Sequence, residues 1–202
     1  MSLPRRSALQ THNEREPEVN KTILTGKASS LPGFNSVALD VGKLLDALRA
    51  CEARGVVYGL GSKAQEHTSG PYVFDYPPTF SAIDCSGWVR WAVYHATGGA
   101  LLIPDGSANQ NDWAGQQGLK HYGLDAARSA YLSNGGNKDH TLRLCFCRAS
   151  PSETIGHVWL LWSGFTMESS GGVGPHSRPF DTPVLERIIT DLYVLGHYPT
   201  PA

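Results

Sequence analysis

The sequence predicts an α+β protein in which helices pack on a central antiparallel sheet. Apolar residues recur at steps of three and four in two stretches before residue 100, as on amphipathic helices. After residue 140 one run alternates in the way of a strand and a second is continuously apolar, and a Ser-Gly pair follows the second run as a hairpin turn would. Helices followed by an antiparallel sheet are typical of the α+β class.

The composition indicates one globular domain and argues against several classes of partner. The 202 residues are 41% hydrophobic and 17% charged, and the net charge of −1 offers no basic surface for nucleic acid. The polar beginning lacks the apolar run of a secretory signal peptide, and no apolar stretch is long enough to span a membrane. We therefore expect synthesis in the cytoplasm, with no membrane span and no nucleic-acid partner.

The N-terminal part divides into an arm and the beginning of the domain. Residues 1–35 are polar and without periodicity, so we expect a flexible or loosely docked arm, with the domain covering 36–202. Apolar positions from Val37 onward predict an amphipathic helix that begins at Ser36 and ends at Gly55.

The other elements follow from the same patterns. Residues 62–83 form an aromatic-rich loop, which either lines a cleft or packs on the core. The remaining predictions are helices at 84–98, 107–117 and 124–132, a turn at 134–137, strands at 142–148, 157–162, 165–169 and 192–198, and a loop at 171–175.

Cys85 is the candidate nucleophile. Asp84 is a good N-cap for the helix predicted at 84–98, and Cys85 then lies in its first turn. Unpaired backbone N–H groups and the positive end of the helix dipole are found there, and both favour a thiolate over a thiol. The alternative is a small buried core residue.

The other three cysteines predict packing rather than chemistry. Cys51 falls on the apolar face of the first helix, and Cys145 and Cys147 share one face of a strand that we expect to pack against a helix. Their spacing matches neither a zinc site nor a disulfide scaffold, so we expect no metal and no cofactor.

His157 is the candidate base for the Cys85 thiol. It is the first residue of a strongly apolar strand, directly after Gly156, where a histidine is unexpected unless it has a specific role. His95 lies on the nucleophile's own helix, ten residues and about 15 Å along it, and does not reach the thiol. A cysteine nucleophile needs an imidazole and a third group that holds the imidazole tautomer.

Glu168 is the candidate for that third group. With residues 163–164 as the hairpin turn, the register places Glu168 diagonal to His157 on the same face of the sheet. An ordinary exposed carboxylate is the alternative interpretation of Glu168. His176 is the rival orienting residue, or a substrate contact.

Three short stretches carry a resemblance to a known family. They are Val57-Tyr58-Gly59-Leu60-Gly61, then Asp84-Cys85-Ser86-Gly87 at a helix start, then Gly156-His157-Val158 at a strand start. In this order, over residues 40–198, the chain resembles the NlpC family of cell-wall cysteine peptidases, which have a papain-like fold.

The resemblance implies hydrolysis of amide bonds in peptidoglycan stem peptides, without a metal or cofactor. It makes Cys85 the nucleophile, His157 the base and Glu168 the third residue, where the family commonly has His. Tyr58, Asp84 and Ser86 occupy substrate-lining positions. Asp84 is then expected to bind a substrate amine, and the Cys85 N–H to stabilise the oxyanion.

The biological setting and two other functions stay open. Without a signal peptide, the chain also resembles phage-borne cell-wall enzymes and amidase effectors, which reach the cell-wall compartment by lysis or dedicated secretion. An inhibitor or immunity protein and the oligomeric state are left open. The alternative functions are a cysteine hydrolase or acyltransferase acting on a non-cell-wall amide, and an inactive module that binds peptidoglycan or a partner.

Overall fold

The structure is a computed structural model that describes residues 30–31, 34–63, 74–123, 140–149, 155–180 and 189–197. The helices in these ranges are α1 (Val41–Arg54), α2 (Cys85–Ala96) and α3 (Ser107–Gln116). The strands are β1 (Ser30–Leu31), β2 (Phe34–Ala38), β3 (Val57–Tyr58), β4 (Ala82–Ile83), β5 (His121–Gly123), β6 (Thr141–Cys147), β7 (His157–Trp162), β8 (Phe165–Ser170), β9 (Gly174–Pro179) and β10 (Asp191–His197).

One antiparallel sheet of six strands dominates the described part of the chain. Its order is β5-β10-β6-β7-β8-β9, so β10 inserts between β5 and β6. Two smaller pairs accompany it, the antiparallel pair β1–β2 and the parallel pair β3–β4. The predicted α+β class and the central antiparallel sheet are therefore confirmed.

Helix α2 lies on this sheet, as predicted, and is apolar around most of its circumference. Trp88, Val89, Trp91 and Ala92 have no exposed surface. Such a helix is stable only when it is covered on several sides. The sheet covers one side through β7 and β8, and α1 covers another.

The sheet buries apolar residues on both faces. Leu142, Leu144 and Phe146 join the core beneath α2. On the opposite face, Cys145 and Cys147 belong to a smaller cluster of strand and loop residues. The expectation that these two cysteines pack against a helix is wrong for the described residues, because their neighbours there are Trp159, Leu161, Phe180, Ile189 and Leu192.

Helix α1 begins later than predicted. Its N-cap is Asp40, whose carboxylate accepts a hydrogen bond from the backbone N–H of Lys43 at 3.3 Å. The residues before Asp40 form β2 instead, because the step from Val37 to Val41 mimics helical spacing only by chance. Gly55 ends the helix as predicted, with a left-handed φ of 68°. Strands β1 and β2 both begin within the arm predicted at 1–35, of which 1–29 and 32–33 lie outside the described residues.

The segment predicted as a loop at 171–175 is a tight turn followed by strand β9. Strand β9 contains two prolines and no apolar alternation, because it is an edge strand, where missing N–H donors are tolerated.

The described part of the aromatic-rich loop packs on α2. Phe80 is fully buried and meets Trp91 edge-on, with ring centroids 5.3 Å apart, and Phe74 lies 4.5 Å from Tyr94. Of the two roles predicted for this loop, these residues take the one of covering the core. The helix predicted at 124–132 and the turn at 134–137 fall outside the described residues. No helix in the described ranges is long and apolar enough to cross a membrane.

Candidate active site

Cys85 is the first residue of α2. The carboxylate of Asp84 caps the helix by accepting the Gly87 N–H at 2.8 Å, which holds the Cys85 backbone in the first turn. The N–H groups of this turn have no partner within the helix. The thiol is therefore at the positive end of the α2 dipole, with 6% of the residue exposed.

His157 is the first residue of β7, one of the two sheet strands that α2 contacts. Its Nε2 lies 2.8 Å from Glu168 Oε2, and its ring also hydrogen bonds to Cys85. Since Nε2 is engaged by the carboxylate, Nδ1 is the nitrogen left for the thiol. Trp159 stacks beside the imidazole, with ring centroids 5.4 Å apart, and an aromatic face favours the protonated ring.

Glu168 reaches His157 because the β7–β8 hairpin has the register that the Ser163-Gly164 turn predicts. The described pairs include Leu160 with Met167 and Leu161 with Thr166, which places Glu168 near the beginning of β7. The Glu168 side chain is fully buried. It is not the exposed carboxylate that was the alternative interpretation.

Two further side chains hold the Glu168 carboxylate. Thr166 Oγ1 donates to Oε1 at 2.8 Å. Arg178 donates from Nε to Oε1 at 2.8 Å and from Nη2 to Oε2 at 3.2 Å. With His157, these donors compensate for burying a carboxylate, which is costly when the charge is unpaired.

The electrostatics of the group favour an ionised carboxylate and a protonated imidazole. Burial alone would raise the pKa of Glu168, but hydrogen bonds from His157 and Arg178 lower it to about 2. Burial alone would lower the pKa of His157, but its hydrogen bonds to Cys85 and Glu168 raise it to about 9. Near neutral pH the Cys85 side chain therefore faces an imidazolium.

His176 lies near this group without contacting the imidazole of His157. It is the β-sheet partner of Glu168 across β8 and β9, but its Nδ1 donates to its own strand at Gly174 O, 2.8 Å away. The structure thus places Glu168, and not His176, on His157. The role of His176 as a substrate contact stays a prediction.

The predicted substrate-lining residues surround the beginning of α2. Tyr58, on β3, is near enough to Cys85 and Asp84 that burial and their negative charge raise its pKa. Ser86 is buried, and its hydroxyl donates to Asp84 Oδ1 at 3.1 Å. These residues are therefore grouped around the thiol, although their part in substrate binding stays a prediction.

Sequence reasoning missed Arg178, Thr166 and Lys63. The first two could have been predicted, because the turn at 171–173 between β8 and β9 makes Thr166 and Arg178 sheet partners, beside Glu168. Lys63 contacts the Asp84 carboxylate and the Ser86 hydroxyl across more than twenty residues, and no spacing in the sequence signals that contact.

Two other cysteines lie in environments that suppress reactivity. Burial raises the pKa of Cys51 to about 12, and burial also raises the pKa of Cys145. Both are fully buried and keep their protons at neutral pH. Within the described ranges, no three His, Cys, Asp or Glu side chains come together as a metal site.

A cavity of about 250 Å³ lies between α3 and the end of β6. It is lined by Ser107, Ala108, Asn111, Asp112, Phe146, Cys147, Arg148, Ala149 and Gly156. Gly156 is closely packed in this lining, since a Cβ there would be 2.9 Å from Ser107 Oγ and 3.2 Å from Cys147 O.

No protein-family model matches the chain, and no curated protein matches it. Among solved structures it is similar to a protein from Staphylococcus aureus subsp. aureus Mu50 described as similar to lipoprotein, of the NLP/P60 family. That pair has a TM-score of 0.41 and 14% identity, over 83% of this chain and 44% of the other. It is also similar to an NlpC/P60 family protein from Bacillus cereus ATCC 10987, with a TM-score of 0.36 and 16% identity, over 57% of this chain and 32% of the other. The chain thus spans less than half the length of either structure.

Proposed function

We propose that the protein is a cysteine hydrolase that cleaves an amide bond in peptidoglycan stem peptides. The observation that carries the proposal is the continuous set of contacts from Cys85 through His157 to the buried Glu168. A nucleophile, a base and an orienting carboxylate in that arrangement fit acyl transfer through a thioester. The peptidoglycan substrate rests on the three motifs that resemble the NlpC family.

In the acylation step, the Cys85 thiolate attacks the carbonyl carbon of the scissile amide. The carbonyl oxygen becomes an oxyanion, and the N–H of Cys85, at the beginning of α2, is the candidate donor to it. As the C–N bond breaks, the His157 imidazolium gives its proton to the leaving amine. A thioester to Cys85 and a neutral His157 remain.

In the deacylation step, neutral His157 takes a proton from water while the water oxygen attacks the thioester carbon. The C–S bond breaks, the acid is released, and the thiolate–imidazolium pair is restored. Glu168 remains ionised throughout, because its low pKa of about 2 prevents it from taking the proton of His157.

Digestion of purified Gram-negative sacculi, read by mass spectrometry, tests the proposal. Wild type should release stem-peptide fragments whose masses identify the bond. Cys85→Ala and His157→Ala should each lower the release at least about 1000-fold, because the nucleophile or the base is lost. Cys51→Ala, which removes another buried thiol from the core face of α1, is the matched control and should keep its activity.

The other outcomes would contradict the mechanism or favour a different function. Fragments released by folded Cys85→Ala would contradict the mechanism. If no variant releases fragments, rapid alkylation of Cys85 by iodoacetamide in the wild type would favour another acyl substrate. Alkylation no faster than that of an ordinary thiol would favour a binding module that has lost its activity.

A further inference from the structure

A lysine ammonium contacts the two residues that flank Cys85 in the chain. Lys63 Nζ contacts the Asp84 carboxylate, lies 2.6 Å from Ser86 Oγ, and lies 3.3 Å from Asp105 Oδ1. Its side chain is only 19% exposed. The ammonium therefore donates to Asp84 and Ser86 and forms an ion pair with the Asp105 carboxylate.

The same contacts leave the Asp84 carboxylate without capacity for a ligand. Oδ1 accepts hydrogen bonds from Gly87 N at 2.8 Å and from Ser86 Oγ at 3.1 Å. Oδ2 accepts from Gly61 N at 3.2 Å and from Lys63. Each carboxylate oxygen thus accepts two hydrogen bonds, which is about its full capacity. A substrate ammonium that approached Asp84 would therefore have to displace Lys63.

We propose that Lys63 is a specificity-determining residue that fills, from within the chain, the cation position next to Cys85. The substrate then presents an uncharged, acylated nitrogen on this side of the thiol, because a second ammonium would meet the charge of Lys63 without a carboxylate to bind it. This inference rests on the proposed function and replaces the amine-binding role that the resemblance implies for Asp84.

With Lys63 in this position, stem peptides are distinguished by how their amino terminus is linked. A peptide still attached to the glycan has its first nitrogen in an amide bond, whereas a detached peptide carries an ammonium. We therefore expect the protein to act on glycan-linked peptides in preference to detached ones. The discriminating chemistry is the charge of one nitrogen, and the rest of the peptide is the same in both.

The test compares one soluble stem tetrapeptide with a free amino terminus and the same tetrapeptide with an N-acetyl group. Wild type should have a kcat/KM at least tenfold higher for the acetylated peptide. Lys63→Met should raise kcat/KM for the free peptide at least tenfold and so abolish the preference, because Asp84 is then available to an ammonium. Lys63→Arg keeps the charge and should keep the preference.

Lys43→Met, which removes an exposed lysine from α1, is the matched control and should behave as wild type. The inference would be overturned if wild type had the same kcat/KM for the two peptides. It would also be overturned if Lys63→Met changed kcat/KM for both peptides by the same factor. If Lys63→Met does not fold, Lys63→Gln takes its place, and the wild-type preference remains a test by itself.

Protection of Cys85 separates this inference from the proposed function. If wild type cleaves neither these peptides nor sacculi, the proposed function fails. The rate of Cys85 alkylation by iodoacetamide, measured with each peptide present, then tests the role of Lys63 alone. The acetylated peptide should slow alkylation in wild type and both peptides should slow it in Lys63→Met. Protection of the wild type by the free peptide, or no protection in any variant, would contradict the role of Lys63.

Discussion

At the scale of single residues, the buried carboxylate of Glu168 determines the protonation of the site. Its four donor contacts come from Thr166, His157 and two nitrogens of Arg178. These contacts keep Glu168 ionised, and the ionised carboxylate in turn keeps His157 protonated. The charge state of the pair is therefore the property that a substitution should change first.

Glu168→Gln retains the size of the side chain and removes its charge. We expect the pKa of His157 to fall from about 9 toward its ordinary 6.5, because a carboxylate partner is lost. Activity at neutral pH should fall by about 100-fold or more, as expected when the orienting carboxylate of a triad is replaced. Titration of the His157 ring by NMR measures the first effect. Glu52→Gln, at an exposed carboxylate on α1, is the control, and an unchanged His157 pKa in Glu168→Gln would contradict the assignment.

The same pair predicts how stability depends on pH. The pKa of His157 is raised from 6.5 to about 9, so its contribution is complete below pH 6.5 and is lost as the pH rises through 9. The pKa of Glu168 is lowered from 4.5 to about 2, so its contribution is complete above pH 4.5 and is lost as the pH falls through 2.

The free energy of unfolding of wild type relative to Glu168→Gln should therefore be largest between pH 4.5 and 6.5, by on the order of 2–3 kcal/mol. Urea unfolding at a series of pH values measures this difference. A difference that does not change with pH would show that the two variants differ in packing rather than in charge.

At the scale of elements, Asp40 and Asp84 cap α1 and α2 in the same way but carry different additional contacts. Asp40 accepts the N–H of Lys43, whereas Asp84 also accepts the N–H of Gly61 and pairs with Lys63. Asp84 thus connects the segment after β3 to the beginning of α2.

Asp40→Ala should lower the free energy of unfolding by about 1 kcal/mol, the usual value of an N-cap. Asp84→Ala should lower it by about 2–4 kcal/mol, because it also leaves a partly buried ammonium and a backbone N–H without their acceptor. Urea unfolding of both variants provides the comparison. Equal losses would mean that the contacts of Asp84 beyond the cap contribute nothing.

The elements that carry the thiol and the imidazole were predictable, because their patterns are strong and local. The N-cap Asp84, the turn at 163–164 and the apolar run after His157 each indicate one structure. Strand β9 was missed because edge strands need no apolar alternation, and its prolines are typical of loops. The position of Lys63 was unpredictable because tertiary packing, and no local pattern, brings it to α2.

At the scale of the whole molecule, Gly174 is where the edge of the large sheet meets β3. A Cβ at Gly174 would lie 2.5 Å from the carbonyl oxygen of Val56 and 3.1 Å from the Cα of Val57, and its φ is +89°. Strand β3 also carries Tyr58, next to the thiol. The packing of β9 on β3 therefore links the sheet that carries His157 to the strand that carries Tyr58.

Gly174→Ala should lower the free energy of unfolding by about 2–4 kcal/mol, through the left-handed backbone and the contact with Val56. It should also lower activity, because β3 must shift and Tyr58 shifts with it. Gly171→Ala is the matched control three residues earlier, where a Cβ meets nothing within 4 Å. Thermal unfolding and sacculus digestion measure both effects, and equal behaviour of the two variants would contradict the coupling.

The sheet order also predicts at which point of synthesis the candidate site can be completed. Every residue of the candidate site precedes β10 in the chain, yet β10 lies between β5 and β6 in the sheet. Among the described strands, β5 pairs with β10 alone. A nascent chain that has emerged only as far as Arg178 thus has its thiol and imidazole but not the strand that completes the sheet beneath them. We expect a nascent chain to acquire the proposed activity only after β10 has left the ribosome and has paired with β5 and β6.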